Sequence, residues 1–229
     1  MQYTSNTKVI AYADDLLVLI KSKSILEAEN IANTEINKIT NWSKNNKIKF
    51  NDQKSKLLVI TRRRPRTQRD ISIYLNNKRL QVSENMRYLG IIIDRKFNFN
   101  EHIAHTTQKC IKLIHSLTKS ARINWDLKSD VLKIIYKRAI LPLLTFAAPI
   151  WIDSVKKGIN SIKLGRVQKL LNIKLIKAFR TILYEAWCFI AGTIELQRIA
   201  NYYVVTRENP NILSILYLNK LRKIVSKYH

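Results

Sequence analysis

Lys8-Val9-Ile10-Ala11-Tyr12-Ala13-Asp14-Asp15-Leu16-Leu17-Val18-Leu19-Ile20 is the stretch on which the reading of this chain turns. β-Branched and aliphatic residues crowd both sides of two adjacent acids. Lys8 to Ala11 and Leu16 to Ile20 therefore read as short buried strands, joined at a tip that carries Asp14 and Asp15. Two explanations of such a tip compete. Asp is a common turn former, because its short side chain bonds nearby backbone. Adjacent carboxylates also repel one another and gain from a divalent cation, and a hairpin holds such a site rigidly. The second explanation points to phosphoryl-transfer chemistry.

Beyond the hairpin, Ser24-Ile25-Leu26-Glu27 fits a capping box and opens a helix that ends near Asn45-Asn46. Its apolar stripe would be Ile25, Ala28, Ile31, Ala32, Ile39 and Trp42. Strands are expected at Ile48 and Phe50, at Leu57 to Ile60, and at Tyr88 to Ile93, with a hairpin from Ile71 to Val82 turning at Asn76-Asn77. The stretch Thr61 to Asp70, with five arginines and a proline, reads as an exposed loop. From about Asn100 the pattern is helical. One stripe is Ile103, Thr107, Cys110, Ile114 and Leu117; a second is Leu127, Val131, Ile134, Ile135 and Ala139, ending near Pro142. Further helices are predicted over Val155 to Ala178, Ile182 to Ala191 with Gly192 as stop, Ile194 to Arg207, and Ile212 to Ser226. The expected class is α+β, a partial antiparallel sheet with a packed helix over 1–95 followed by an all-helical part over 96–229.

The balance of 41 Lys plus Arg against 16 Asp plus Glu gives a net charge of +25, spread along the whole chain. Such a field attracts polyanions, and nucleic acid is the partner it suits best. A membrane surface fits less well, because no lipidation signal is present and the basic residues do not gather on one face of a helix. Ile140 to Ile152 is apolar but falls short of the roughly 20 residues that a span requires, and Pro142 and Pro149 interrupt it. The acids of the hairpin break up any signal-peptide core in Met1 to Asp15. Cys110 and Cys188 are the only cysteines, read as buried fillers in a reducing compartment. The expectation is an intracellular protein, nuclear or cytoplasmic, with no membrane partner.

Three signals follow in a fixed order: Tyr12-Ala13-Asp14-Asp15 between strands; Trp42, Asn51, Lys54 and Ser55 before an apolar strand; then Tyr88-Leu89-Gly90. With them the chain resembles the reverse transcriptases of non-LTR retrotransposons of the jockey-like group, over nearly all its length. Phe99, His102 and Ile103, Trp125, Tyr136, Pro142, Trp151, Gln168 and Phe179-Arg180-Thr181 are similar to later landmarks of that family. The resemblance implies a palm over 1–95 and a thumb with its connection over 96–229. It makes Asp14 a ligand of Mg2+, Asp15 a neighbour in the same negative pocket, and Lys54 the group that stabilises or protonates the leaving phosphate. It sets Tyr12 near the primer terminus, and Tyr88, Leu89 and Gly90 against the primer strand as its grip. Implied partners are an RNA template, a DNA primer and dNTP.

Some residues carry weaker expectations. Arg62, Arg63, Arg64, Arg66 and Arg69 are candidates for phosphate contacts. His102 and His105 share a helix face yet lack a third ligand nearby in sequence, so both are read as structural. Trp125 and Trp151 are read as core anchors. The chain also departs from the family pattern. Only seven residues precede Lys8, so the partner acid of the palm and the fingers that hold dNTP would lie upstream. Thr193-Ile194-Glu195-Leu196 replaces the expected Pro-Leu step after Gly192. Alone, the chain is expected to be inactive as a polymerase. The competing expectation is a basic module that binds nucleic acid without catalysis.

Overall fold

A computed structural model of the protein describes residues 4–60, 71–124, 129–156 and 158–176. Helices mix with short strands in an α+β architecture, and the chain divides into two compact units, Met1–Met86 and Arg87–His229.

In the first unit, β1 (Thr7–Tyr12) and β2 (Asp15–Ile20) form an antiparallel hairpin. Ser24 then caps α1 (Ile25–Asn45), its Oγ accepting the Glu27 N–H at 3.2 Å. Glu27 reaches back to the Lys23 N–H at 3.0 Å, so the box closes one residue earlier than the pattern implies. Ala32 and Ile39 of the expected stripe are buried. Ile25 and Trp42 are exposed, because they stand in the terminal turns of the helix. Glu35 is buried as well; its Oε1 accepts from Lys38 Nζ at 3.0 Å and from the Thr4 N–H at 3.3 Å. Burial pushes its pKa up, but those bonds and the Lys38 charge outweigh it and hold the carboxyl below its usual value.

The core of this unit joins Ala32 to Ile71, Ile73, Leu75 and Leu80, with Ile20, Ile36, Phe50, Leu57 and Val59 packed around them. Asn33 ties the helix to the chain beside it: its Oδ1 accepts the Tyr74 N–H and its Nδ2 donates to the Ser72 carbonyl, both at 3.0 Å. β4 (Tyr74–Leu75) and β5 (Lys78–Arg79) form the expected second hairpin, turning at Asn76 and Asn77 with φ of 50° and 62°. Asn tolerates that left-handed pair better than most residues. β3 (Lys56–Leu58) pairs in parallel with β6 (Gln81–Ser83). Two expectations fail here. Among the described residues the strands pair two by two rather than in one antiparallel sheet. Ile48 and Phe50 lie outside any strand, because Lys47 turns at φ 56° and the Ile48 N–H bonds back to the Ser43 carbonyl at 2.9 Å, closing α1.

The boundary between units falls inside β7 (Asn85–Tyr88), which pairs with β8 (Ile91–Asp94). A single strand over Tyr88 to Ile93 was the expectation; Leu89 (φ 46°) and Gly90 (φ 83°) instead turn the chain between two strands. Asp94 then organises the following loop. Its carboxylate accepts the N–H groups of Lys96, Asn98 and Phe99 at 3.0, 3.2 and 2.6 Å. α2 (Asn100–Asn124) buries Ile103, Thr107, Cys110 and Ile114 as its stripe predicts. Burial pushes the Cys110 thiol up to about 12, which suits an inert filler.

α3 (Ser129–Ile135) runs through a π-helical turn, Tyr136–Ile140, into α4 (Leu141–Thr145). Pro142 does not stop the helix, contrary to expectation. The Leu141 N–H bonds to the Tyr136 carbonyl across a widened turn, and Pro142 then occupies the first turn of α4, where its missing N–H is tolerated. The buried positions become Tyr136, Ile140 and Leu144, whereas Val131, Ile134 and Ala139 are exposed. α5 (Ala148–Trp151) leads through a 3-10 turn, Ile152–Lys156, to α6 (Ile159–Ile176). This last helix starts after Gly158 (φ 59°) and not at Val155. Asn160 locks its start to that of α2, donating to Asn100 Oδ1 at 2.9 Å. The helices expected beyond Ile176, with Phe179-Arg180-Thr181, Cys188 and Gly192, lie outside the described residues, as does Leu127. Among the described residues no helix is long and apolar enough to cross a membrane.

Candidate functional site

Pairing of Tyr12 with Asp15, and of Ile10 with Leu17, leaves Ala13 and Asp14 as a two-residue loop. Side chains alternate along a strand, so Tyr12 and Asp15 continue the face of the buried pair Ile10 and Leu17 while Asp14 occupies the turn. Asp15 is thus a strand residue rather than half of the tip. Ala13 bends at φ 50°, a conformation that strains any residue with a Cβ by about 1–2 kcal/mol. Tyr12, Ala13, Asp14 and Asp15 are all exposed. The flanks are less covered than the sequence suggests, with only Ile10 and Leu17 buried between Thr7 and Ile20; among the described residues no further strand pairs with either edge of this ribbon.

The carboxylate oxygens of Asp14 and Asp15 suit a hard divalent cation. Among the described residues, no group of three or more His, Cys, Asp or Glu side chains forms a candidate metal centre. The pair therefore fits part of a coordination sphere and leaves the remainder to other donors.

Lys54 lies exposed in a separate loop of the same unit. Asn51 builds that loop. Its Oδ1 accepts the N–H groups of Gln53 and Lys54 at 3.0 and 3.1 Å, and its carbonyl accepts from Ser55 Oγ at 2.8 Å. Asn, Lys and Ser at this spacing form an Asx turn that presents the lysine. Asp52 beside it pairs with Lys78 Nζ at 2.6 Å, whose hydrogen bond holds the Asp52 carboxyl below its usual range. Among the described residues no ion pair joins Lys54 to Asp14 or Asp15.

Tyr88, Leu89 and Gly90 belong to the second strand pair. Tyr88 is buried, Leu89 half-buried and Gly90 exposed. A Cβ at Gly90 would meet Phe146 Cε1 at 3.1 Å, so glycine serves both the left-handed φ and the close approach of that ring. Behind the turn, His102 Nδ1 accepts the Ile92 N–H at 3.4 Å, and the His102 ring lies 6.1 Å from that of Trp151. Trp151 is the core anchor expected, 3% exposed. Burial, followed by the charges of His105 and Arg87, lowers the His102 pKa to about 4.

This shift has a pH consequence. A histidine held neutral in the fold but titrating near 6.5 when unfolded lends stability that is complete above pH 6.5 and is lost as pH falls toward 4. The loss amounts to about 3 kcal/mol. Thermal unfolding between pH 7.5 and 4.5 should therefore show a falling midpoint that His102→Gln, which keeps an acceptor for Ile92, largely flattens. Equal slopes in both proteins would refute this.

Of the residues singled out from the sequence, Tyr12, Asp14 and Asp15 share one hairpin, Lys54 stands on another loop of that unit, and Tyr88 to Gly90 form a turn of the other unit. Arg62, Arg63, Arg64, Arg66, Arg69 and Trp125 lie outside the described residues. Asn51 stood out by its place before Lys54 but not as the builder of the turn, and the contact of Phe146 with Gly90 was not anticipated. Asn51 was legible, since Asn followed three residues later by a lysine in a short loop is an Asx-turn pattern; the contact between Phe146 and Gly90 spans 56 positions (146 − 90 = 56) and left no local signal.

Residues 1–93 match the family of reverse transcriptases (RNA-dependent DNA polymerases). The resemblance to non-LTR retrotransposon enzymes holds over most of the chain. It is 24% identical over 239 residues to the Retrovirus-related Pol polyprotein from type-1 retrotransposable element R1 4 of Nasonia vitripennis, covering 95% of this chain and 60% of that protein. It is 28% identical over 171 residues to the RNA-directed DNA polymerase from mobile element jockey of Drosophila melanogaster, covering 72% of this chain and 18% of that protein. The jockey polymerase of Drosophila funebris is 25% identical over 230 residues, covering 96% and 21% respectively. The chain thus spans 60% of the first of these relatives and about a fifth of the two jockey polymerases. No solved structure matches it.

Proposed function

We propose that the chain is the later part of the palm, over 1–95, and the thumb and connection, over 96–229, of an RNA-directed DNA polymerase that extends a DNA primer on an RNA template. The observation that carries this reading is the two-residue loop exposing Asp14 beside Asp15, within the segment that matches the reverse-transcriptase family. Asp14, with Asp15 next to it, would hold Mg2+, which when bound neutralises charge at the primer hydroxyl and at the departing pyrophosphate. Tyr12, exposed on the hairpin face, bears on the primer terminus, and the strained Ala13 leaves room there. Lys54 supplies a cation, or a proton, to the leaving phosphate. The Tyr88-Leu89-Gly90 turn holds the primer strand, and Arg62, Arg63, Arg64 and Arg66 contact phosphates.

Two carboxylates alone leave a divalent ion mostly hydrated. The 229-residue chain by itself is accordingly expected to bind primer–template without extending it. Binding to an RNA–DNA duplex should be steeply salt-dependent. If about six to ten phosphates are neutralised, affinity falls by about 10³-fold or more between 50 and 200 mM salt. A fluorescence-anisotropy titration measures this, and an affinity that barely changes over that range would overturn the assignment.

A further inference from the structure

Phe146 draws attention because its surroundings are spent on keeping it outside. It sits between α4 and α5 and is 49% exposed, while Leu144, Ala147, Ala148, Ile150 and Trp151 around it are buried. Its backbone is braced from behind. The Trp151 indole N–H donates to the Phe146 carbonyl at 2.8 Å, and Ala147 takes a left-handed φ of 52°, a strain that only the surrounding packing sustains. The ring edge lies so close to Gly90 that a Cβ there would stand 3.1 Å from Cε1 and 3.4 Å from Cζ.

An isolated exposed apolar side chain is ordinary. An aromatic ring on a braced backbone, close against an exposed glycine turn in a chain of net charge +25, is a different arrangement. Aromatic faces beside a polyanion-attracting surface stack on bases or sugars of nucleic acid, and do so without sequence preference. We infer that Phe146 and the Leu89-Gly90 turn form one strand-binding element, in which the backbone of the turn approaches the sugar-phosphate chain and the Phe146 ring packs on the base or sugar of one nucleotide of the same strand. This rests on the proposed primer grip and adds the residue that gives that turn its apolar contact. His102 and Trp151 act behind it as positioning residues, the first on Ile92 of β8 and the second on the Phe146 carbonyl.

The test uses the full chain and an RNA–DNA primer–template carrying 2-aminopurine at successive positions of the primer strand. Phe146→Ala should weaken binding by about 10-fold and remove the quenching of one probe position, with the salt slope unchanged. Phe146→Trp should retain both affinity and quenching. Phe146→Leu separates stacking from support of the turn: it keeps apolar contact with Gly90, and should match the thermal midpoint of the parent while binding as poorly as Phe146→Ala. Parent-like binding by Phe146→Ala, or full affinity with Phe146→Leu, overturns the inference and leaves the polymerase reading standing. Failure of the parent chain to bind the duplex at all overturns both.

Discussion

Asp14→Asn, made in a polypeptide that carries this segment and extends primers, is expected to lower primer extension by about 10³-fold with little change in duplex affinity. The expectation follows from position and chemistry. Asp14 sits in the hairpin turn and among the described residues its side chain makes no hydrogen bond or ion pair, so its amide replacement leaves β1 and β2 paired while removing an anionic oxygen donor. Loss of one preorganised charge contact in a transferring site typically costs about 10²–10³-fold, and a metal ligand lies at the upper end. Asp15→Asn should cost less, since Asp15 pairs across the hairpin with Tyr12 and is assigned only a supporting part. Single-nucleotide incorporation under saturating duplex separates the two. In a chain that merely binds nucleic acid, Asp14→Asn would instead tighten binding slightly by removing a negative charge. Activity retained within a few-fold in Asp14→Asn would remove the metal role.

Trp151→Ala should have the largest effect on stability. The side chain is 3% exposed, packs beside His102 and donates to the Phe146 carbonyl. Truncating a buried tryptophan typically costs about 3–5 kcal/mol, which lowers the thermal midpoint of a chain this size by about 10 °C. Trp42→Ala is the control. Trp42 is 45% exposed near the end of α1, so its loss should cost under about 1 kcal/mol. Comparable midpoints for the two variants would contradict the burial described for the second unit.

What the sequence announced was whatever rests on local chemistry. Ser24 and Glu27 at capping-box spacing mark the start of α1, Asn76-Asn77 marks a turn, and acids between two aliphatic runs mark a hairpin. Each is decided within a few residues. Other features depend on distant partners or on conformations that propensity does not favour. Leu89 in a left-handed turn contradicts its own preference, so Tyr88 to Ile93 reads as one strand. Pro142 normally ends a helix; the π turn at Tyr136 that accommodates it shifts the buried face and so misleads a count of apolar positions. The apolar stripe of α1 overran into Ile25 and Trp42 because periodicity says which face is apolar, not how far the cover extends. Asp14, Asp15 and Lys54, on which the proposed function rests, stand out by residue type and order. The Asx turn under Lys54 needed only closer local reading, whereas Phe146 against Gly90 needed the fold.

The most direct measurement is paramagnetic broadening of backbone amide signals during titration of the isotope-labelled chain with Mn2+, repeated on Asp14→Asn. Selective broadening of Tyr12 to Leu16 that disappears in the variant is the expected result. Signals of that hairpin left sharp while Mn2+ broadens residues elsewhere, or equal broadening in both proteins, would show that the acidic turn is not part of a divalent-cation site.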